Sequence, residues 1–146
     1  MQILGKIIIK LFKLHKVNLN NINIMETQVV CVKVKYLKPK YNNLKEWMND
    51  PNNVYIARKG IVFIDNERFP KVDSIWANPF KINENTSRIE AIEQYKTYIT
   101  NKINNGEISK EMLLDLKGKQ LGCWCKEENK NIQCHGDILV ELVKNL

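Results

Sequence analysis

Three short apolar runs, separated by stretches of helical period, constrain the architecture of this chain most. QVVCVKVKY (28–36), NVYIARKG (53–60) and KQLGCWC (119–125) each read as a strand. In the first, Val30, Val32 and Val34 share one face, and Val29, Cys31, Lys33 and Lys35 share the other. Between the first two runs a short helix is expected after Pro39, in YNNLKEWMND. It places Leu44, Trp47 and Met48 on one side and stops before Pro51. TSRIEAIEQYKTYITNKINNG (86–106) is the clearest helix. Ser87 and Glu90 have the spacing of a capping box, and Ile89, Ile92, Tyr95, Ile99 and Ile103 form an apolar stripe. A shorter helix is expected from about Ser109. The final stretch, GDILVELVKNL, reads as a helix with Ile138, Leu139, Leu142, Val143 and Leu146 inward. The segment IVFIDNERFPK reads as a hairpin arm or an insertion, with Asp65, Asn66 and Glu67 at its tip. Parallel strands need long crossovers, usually helical, so this alternation predicts a small three-layer α/β domain with a mostly parallel sheet.

A chain of 146 residues fits one domain with a real core. That domain is expected over 28–146, after a basic N-terminal extension, 1–27. Lys6, Lys10, Lys13 and Lys16 stand there with no acid in the first 25 residues. About three of the net +7 charges therefore remain for the rest of the chain. A body this mildly basic does not by itself specify nucleic-acid binding. No apolar run reaches 18 residues, so no transmembrane segment is expected. The extension reads as a peripheral helix or strand, a poorly ordered arm, or an amphipathic surface anchor. Cysteine is too sparse for a disulfide framework, which favours a reducing, cytoplasmic or nuclear setting.

Three of the four cysteines and one of the two histidines fall within LGCWCKEENKNIQCHGD (121–137). In a strand, Cys123 and Cys125 point to one face and Trp124 to the other. Cys134 and His135 return after a polar loop, at the start of the last helix. Cys123, Cys125, Cys134 and His135 have the ligand types and number of a tetrahedral zinc site, although the spacing is not that of a standard zinc finger. A second chemistry is open to the same residues. Cys134 at a helix N-terminus is placed to be a nucleophile, with His135 moving a proton and Asp137 orienting a partner. In a third, Gly136 lets a ligand approach the free amides of the helix start. The plainest alternative makes Cys123 and Cys125 small core residues and His135 a cap.

Joined to these residues are VYIAR (54–58) and WANPF (76–80). The combination with GCWC (122–125) and CHGD (134–137) resembles the small domain-of-unknown-function proteins of bacteria, phages and large DNA viruses. The likeness covers roughly 28–146, with Ala77 where such proteins often have glycine. It implies a shared site that includes Arg58, Trp76, Asn78, Pro79, Cys123, Cys125, Cys134, His135 and Asp137, and, for a viral protein, residence in the host cytoplasm.

Arg58 follows a strand, where ligands of open α/β sheets collect, and can grip phosphate or carboxylate in two-pronged fashion. Asn78 can orient a polar ligand group or fix the Asn-Pro turn. Trp76 can stack on a base or fill the core. Walker A and dinucleotide glycine fingerprints, the His-Glu-x-x-His helix and the zinc deaminase signature are all missing from the sequence. The leading expectation is therefore a binding protein or an enzyme whose ligand is a nucleotide, nucleoside or related metabolite. Arg58, Trp76, Asn78 and Gly136 would contact the ligand, with Cys134, His135 and Asp137 at the chemical end. The alternative is a nucleic-acid-binding protein whose Cys/His loop is braced by zinc.

Overall fold

The computed structural model describes residues 25–126 and 131–146. The expectations for 1–24 lie outside the described residues. In chain order the elements are β1 (Gln28–Cys31), α1 (Val34–Leu37), α2 (Leu44–Asn49), β2 (Asn53–Tyr55), β3 (Val62–Ile64) and β4 (Glu67–Phe69). They continue with α3 (Arg88–Asn104), α4 (Lys110–Leu114), β5 (Gln120–Cys123) and α5 (His135–Lys144). Strands β1, β5 and β2 form a parallel sheet in that spatial order, with Val29 opposite Leu121 and Val54 opposite Leu121 on the other side. β5 is thus the central strand.

The connection from β1 to β2 passes β5 in one direction, and the connection from β2 to β5 returns. Crossovers of one hand that run in opposite directions place their helices on opposite faces. Leu37, Leu44 and Trp47 accordingly form one core layer with Val32 and Tyr55. Tyr95, Ile99, Leu113 and Leu139 form the other with Ile56, Leu121 and Cys123. Helices therefore flank the sheet on both sides, as the alternation of elements predicts. Each fully buried aliphatic chain in these layers contributes about 1.5–3 kcal/mol. Among the described residues no helix is long and apolar enough to cross a membrane.

The central strand can be covered closely on its α2 side because residue 122 is glycine. A Cβ there would overlap the Trp47 ring and lie 2.6 Å from Val32 Cγ1. The Trp47 ring packs directly over this backbone.

Several local expectations are corrected. The first strand ends at Cys31, not at residue 36. Its ladder stops with Cys31 opposite Cys123, followed by a last bond from Val32 N to Cys123 O at 3.0 Å. The following residues wind into α1, which buries Leu37 and leaves Val34 52% exposed. The next helix begins at Leu44, where the Asn43 side chain accepts from Glu46 N at 3.0 Å. In α3 the capping box forms as expected, and Ala91, Ile92, Tyr95 and Ile99 are buried, but Ile89 is 69% exposed. It lies in the first turn, ahead of the buried stripe. Leu146 is exposed as well. The hairpin β3–β4 is present, with Asp65 and Asn66 both at positive φ in a two-residue turn and Glu67 already in β4.

Candidate functional site

The carboxyl edge of the sheet positions the site. Chain leaving β2 supplies Ala57, Arg58 and Lys59, and chain leaving β5 supplies Trp124 and Cys125. The start of α5 brings Cys134 and His135. These meet around a cavity of about 590 Å³ that is also lined by Asn78, Phe80 and Arg88. This is where ligands collect in open parallel sheets, and the volume is in the small-molecule range.

The sulfurs of Cys123, Cys125 and Cys134 all lie within 4.8 Å of one another. Cys123 Sγ and Cys134 Sγ are 2.9 Å apart. The strand alternation expected from the sequence produces this arrangement: Cys123 enters the α3 layer, while Trp124 packs against the α2 layer. All three cysteines line the cavity. Zinc–thiolate bonds are about 2.3 Å, so sulfurs this close can share one ion, and three thiolates suit a soft or borderline metal. The cluster is able to coordinate a metal.

Thiols in mutual contact share a first negative charge. Hydrogen bonding from Cys123, then from Cys134, holds the Cys125 thiol far below its usual range, with the Arg88 guanidinium beside it acting in the same direction. The hydrogen bond with Cys125 is the largest cause pushing Cys123 up to about 12, with burial adding to it. Cys134 is pushed up further by its bonds with Cys123 and Cys125 and by burial. Backbone amides also point at the cluster, from Cys125 N to Cys123 Sγ at 3.2 Å and from Gly136 N to Cys134 Sγ at 3.3 Å.

His135 lies at the border of this group. Its Nε2 is 2.7 Å from Ile56 O. A carbonyl can only accept, so Nε2 carries the proton, and a neutral ring leaves Nδ1 bare, 3.8 Å from Cys134 Sγ. Burial lowers the His135 pKa and favours that neutral form. The imidazole is a neighbour of the three-sulfur group and not one of its members.

The remaining expected residues divide between cavity and framework. Arg58 lines the cavity, and its Nη1 is buried with no hydrogen-bond partner among the described residues. A buried donor left unmatched costs about 1–3 kcal/mol, more when charged. Asn78 also lines the cavity, but its amide holds the turn: Oδ1 accepts from Phe80 N at 2.9 Å and Nδ2 donates to Ala91 O at 3.3 Å. Trp76 is placed in the core instead of on the cavity wall. It is only 4% exposed, and its carbonyl accepts from Tyr95 Oη at 2.8 Å.

Gly136 is absent from the cavity lining. It lets α5 approach the sheet, since a Cβ there would stand 2.8 Å from Ile56 Cδ1 and 2.9 Å from Val29 Cγ2. Asp137 closes the α5 capping box by accepting from Cys134 N at 2.9 Å, and pairs with Lys126 Nζ at 2.8 Å. It faces that pair and not the cavity lining.

Sequence reasoning did not single out Arg88 or Tyr55. Tyr55 Oη donates to Arg58 O at 2.7 Å and accepts from Trp124 Nε1 at 2.8 Å, so it joins the two chain segments that leave the sheet. Burial pushes its phenol up to about 12, which keeps the donor proton in place. Arg88 sits at the first position of α3, directly after Ser87. Its place at the start of the capped helix, eight residues beyond WANPF (76–80), was the available signal.

The family described as “Domain of unknown function (DUF4326)” matches residues 40–145. The chain belongs to this family. The matched span contains every cavity residue named above, while β1 precedes it. An uncharacterized 12.4 kDa protein from the nrdA–td intergenic region of Enterobacteria phage T4 is 43% identical over 60 residues. That alignment covers 41% of this chain and 52% of the phage protein. The uncharacterized protein R718 of Acanthamoeba polyphaga mimivirus is 38% identical over 79 residues, which is 49% of this chain and 55% of that protein. The chain thus spans about half the length of these relatives. No solved structure matches.

Proposed function

We propose that this member of the family binds zinc through Cys123, Cys125 and Cys134, and that the cavity beside the metal receives a nucleotide-like metabolite. The observation that carries the proposal is the meeting of three mutually close sulfurs and Arg58 on the wall of one cavity. A bound zinc ion supplies a positive, Lewis-acidic centre. The chain's own residues hold the surroundings. His135 braces α5 against the end of β2 through Ile56 O. Asp137 and Lys126 fix the turn that presents Cys134. Arg88 offsets negative charge on Cys125.

The direct test is metal content of protein purified without chelator. About one zinc per chain is expected for the wild type, with loss in Cys125→Ser and in Cys134→Ser. Metal-free wild-type protein that remains fully folded would reject the metal half of the proposal.

A second reading gives the zinc-braced loop to nucleic-acid binding. It is favoured by the cations Lys59, Lys81 and Arg88, which line the cavity together with Arg58. It predicts steeply salt-dependent binding of single-stranded oligonucleotides. The cavity volume of about 590 Å³ suits the smaller ligand.

A further inference from the structure

We infer that the cavity recognises a phosphate monoester with an apolar or aromatic body, anchored by Arg58 and Arg88. The inference rests on the proposed function only in taking the cavity as a ligand site; it does not require the metal.

Among the described residues, four cationic side chains, Arg58, Lys59, Lys81 and Arg88, line this space, and no aspartate or glutamate does. Arg58 Nη1 is buried and lacks a hydrogen-bond partner among the described residues, although the rest of its loop is tightly tied. Nearby carboxylates are committed elsewhere: Asp137 pairs with Lys126, and Asp73 accepts from Lys59 N at 2.7 Å. Arg88 Nη1 makes a long contact, 3.4 Å, to Gln133 O, and its guanidinium also hydrogen-bonds the Cys125 thiol at the cavity wall, with no carboxylate partner among the described residues.

A guanidinium fork fits planar pairs of anionic oxygens. A carboxylate offers one such pair and one charge. A phosphate monoester offers three oxygens and close to two charges near neutral pH, enough to engage two arginines with lysine support. Apart from Asn78, His135 and the three cysteines, the rest of the lining is apolar. Ile61 and Ile82 are exposed at the rim, and Phe80 and Trp124 stand deeper, so the body of the ligand meets rings and aliphatic chains.

Phenyl phosphate is the probe, followed by tryptophan fluorescence of the full chain, with benzoate and phenol as comparisons. Saturable binding of phenyl phosphate is expected, about tenfold tighter than benzoate, and weakened about tenfold by Arg58→Gln and by Arg88→Gln. It should also weaken as pH falls below about 6, where the phosphate loses its second charge. Absence of saturable binding, equal affinity for benzoate, or unchanged affinity in both arginine variants would overturn the inference. So would an oligonucleotide that binds and is not displaced by phenyl phosphate.

If the arginine variants fail to fold, Lys81→Gln on the exposed rim carries the test. About threefold weaker binding is expected there, and no change overturns the inference. Metal content measured on the same samples separates the two proposals. Full metal without phosphate binding defeats this inference alone, and phosphate binding without metal defeats the metal reading alone.

Discussion

Helices α3 and α5 begin with the same hydrogen-bond pattern built from different atoms. At α3, Ser87 Oγ accepts from Glu90 N at 3.2 Å, and the Glu90 carboxylate accepts from Ser87 N at 2.7 Å. At α5, Cys134 takes the place of the serine and Asp137 that of the glutamate. The first helix start is exposed and obeys ordinary cap preference. The second is buried and puts a weak sulfur acceptor where an oxygen would serve the helix better. A position that departs from local preference while its surroundings obey it marks a site selected for something else. Here the sulfur that caps α5 also touches Cys123.

The largest expected effect from breaking this comparison is chemical. Cys134→Ser gives α5 the oxygen cap of α3 and should leave the fold intact while zinc content falls at least about tenfold, measured by elemental analysis beside a thermal melt. The reciprocal change, Ser87→Cys, should leave metal content unaltered.

Next in size is Gly136→Ala, with an expected loss of about 1–3 kcal/mol in urea denaturation, because the new Cβ would press on Ile56 and Val29. Ser87→Ala should cost about 1 kcal/mol by the same measurement and spare the metal.

The smallest effect is the dependence on pH carried by His135. Burial lowers its pKa from 6.5, so the folded state binds fewer protons than the unfolded state just below that value. Its contribution is intact above pH 6.5 and is lost as pH falls through the folded value. His135→Gln should flatten the fall in denaturation midpoint between about pH 7 and pH 5. An unchanged slope would assign that fall to other groups.

The parts of the fold set by local pattern were legible in advance. Strand alternation separated Cys123 from Trp124, and the Ser87–Glu90 spacing marked the start of α3. What depended on a distant partner was not legible. The alternation of Val30, Val32 and Val34 continues past Cys31, but the paired segment of β5 ends at Cys123, so the strand stops there. Asn78 and Asp137 have side chains equally suited to ligands and to turns. Only the positions of Ala91 and Lys126 show which bonds they make. Arg58 could be proposed from its place after a strand, whereas its unmatched nitrogen is a property of packing alone.

The central position of β5 has a consequence for how any occupant would be felt. Cys123 ends a strand laddered on both sides, whereas Ile61 and Ile82 stand in exposed chain at the mouth. Amide hydrogens at the floor should exchange slowly with or without an occupant, because they open only with the whole domain. Newly gained protection should therefore concentrate at the mouth, giving a map of occupancy that is silent at the sulfurs themselves.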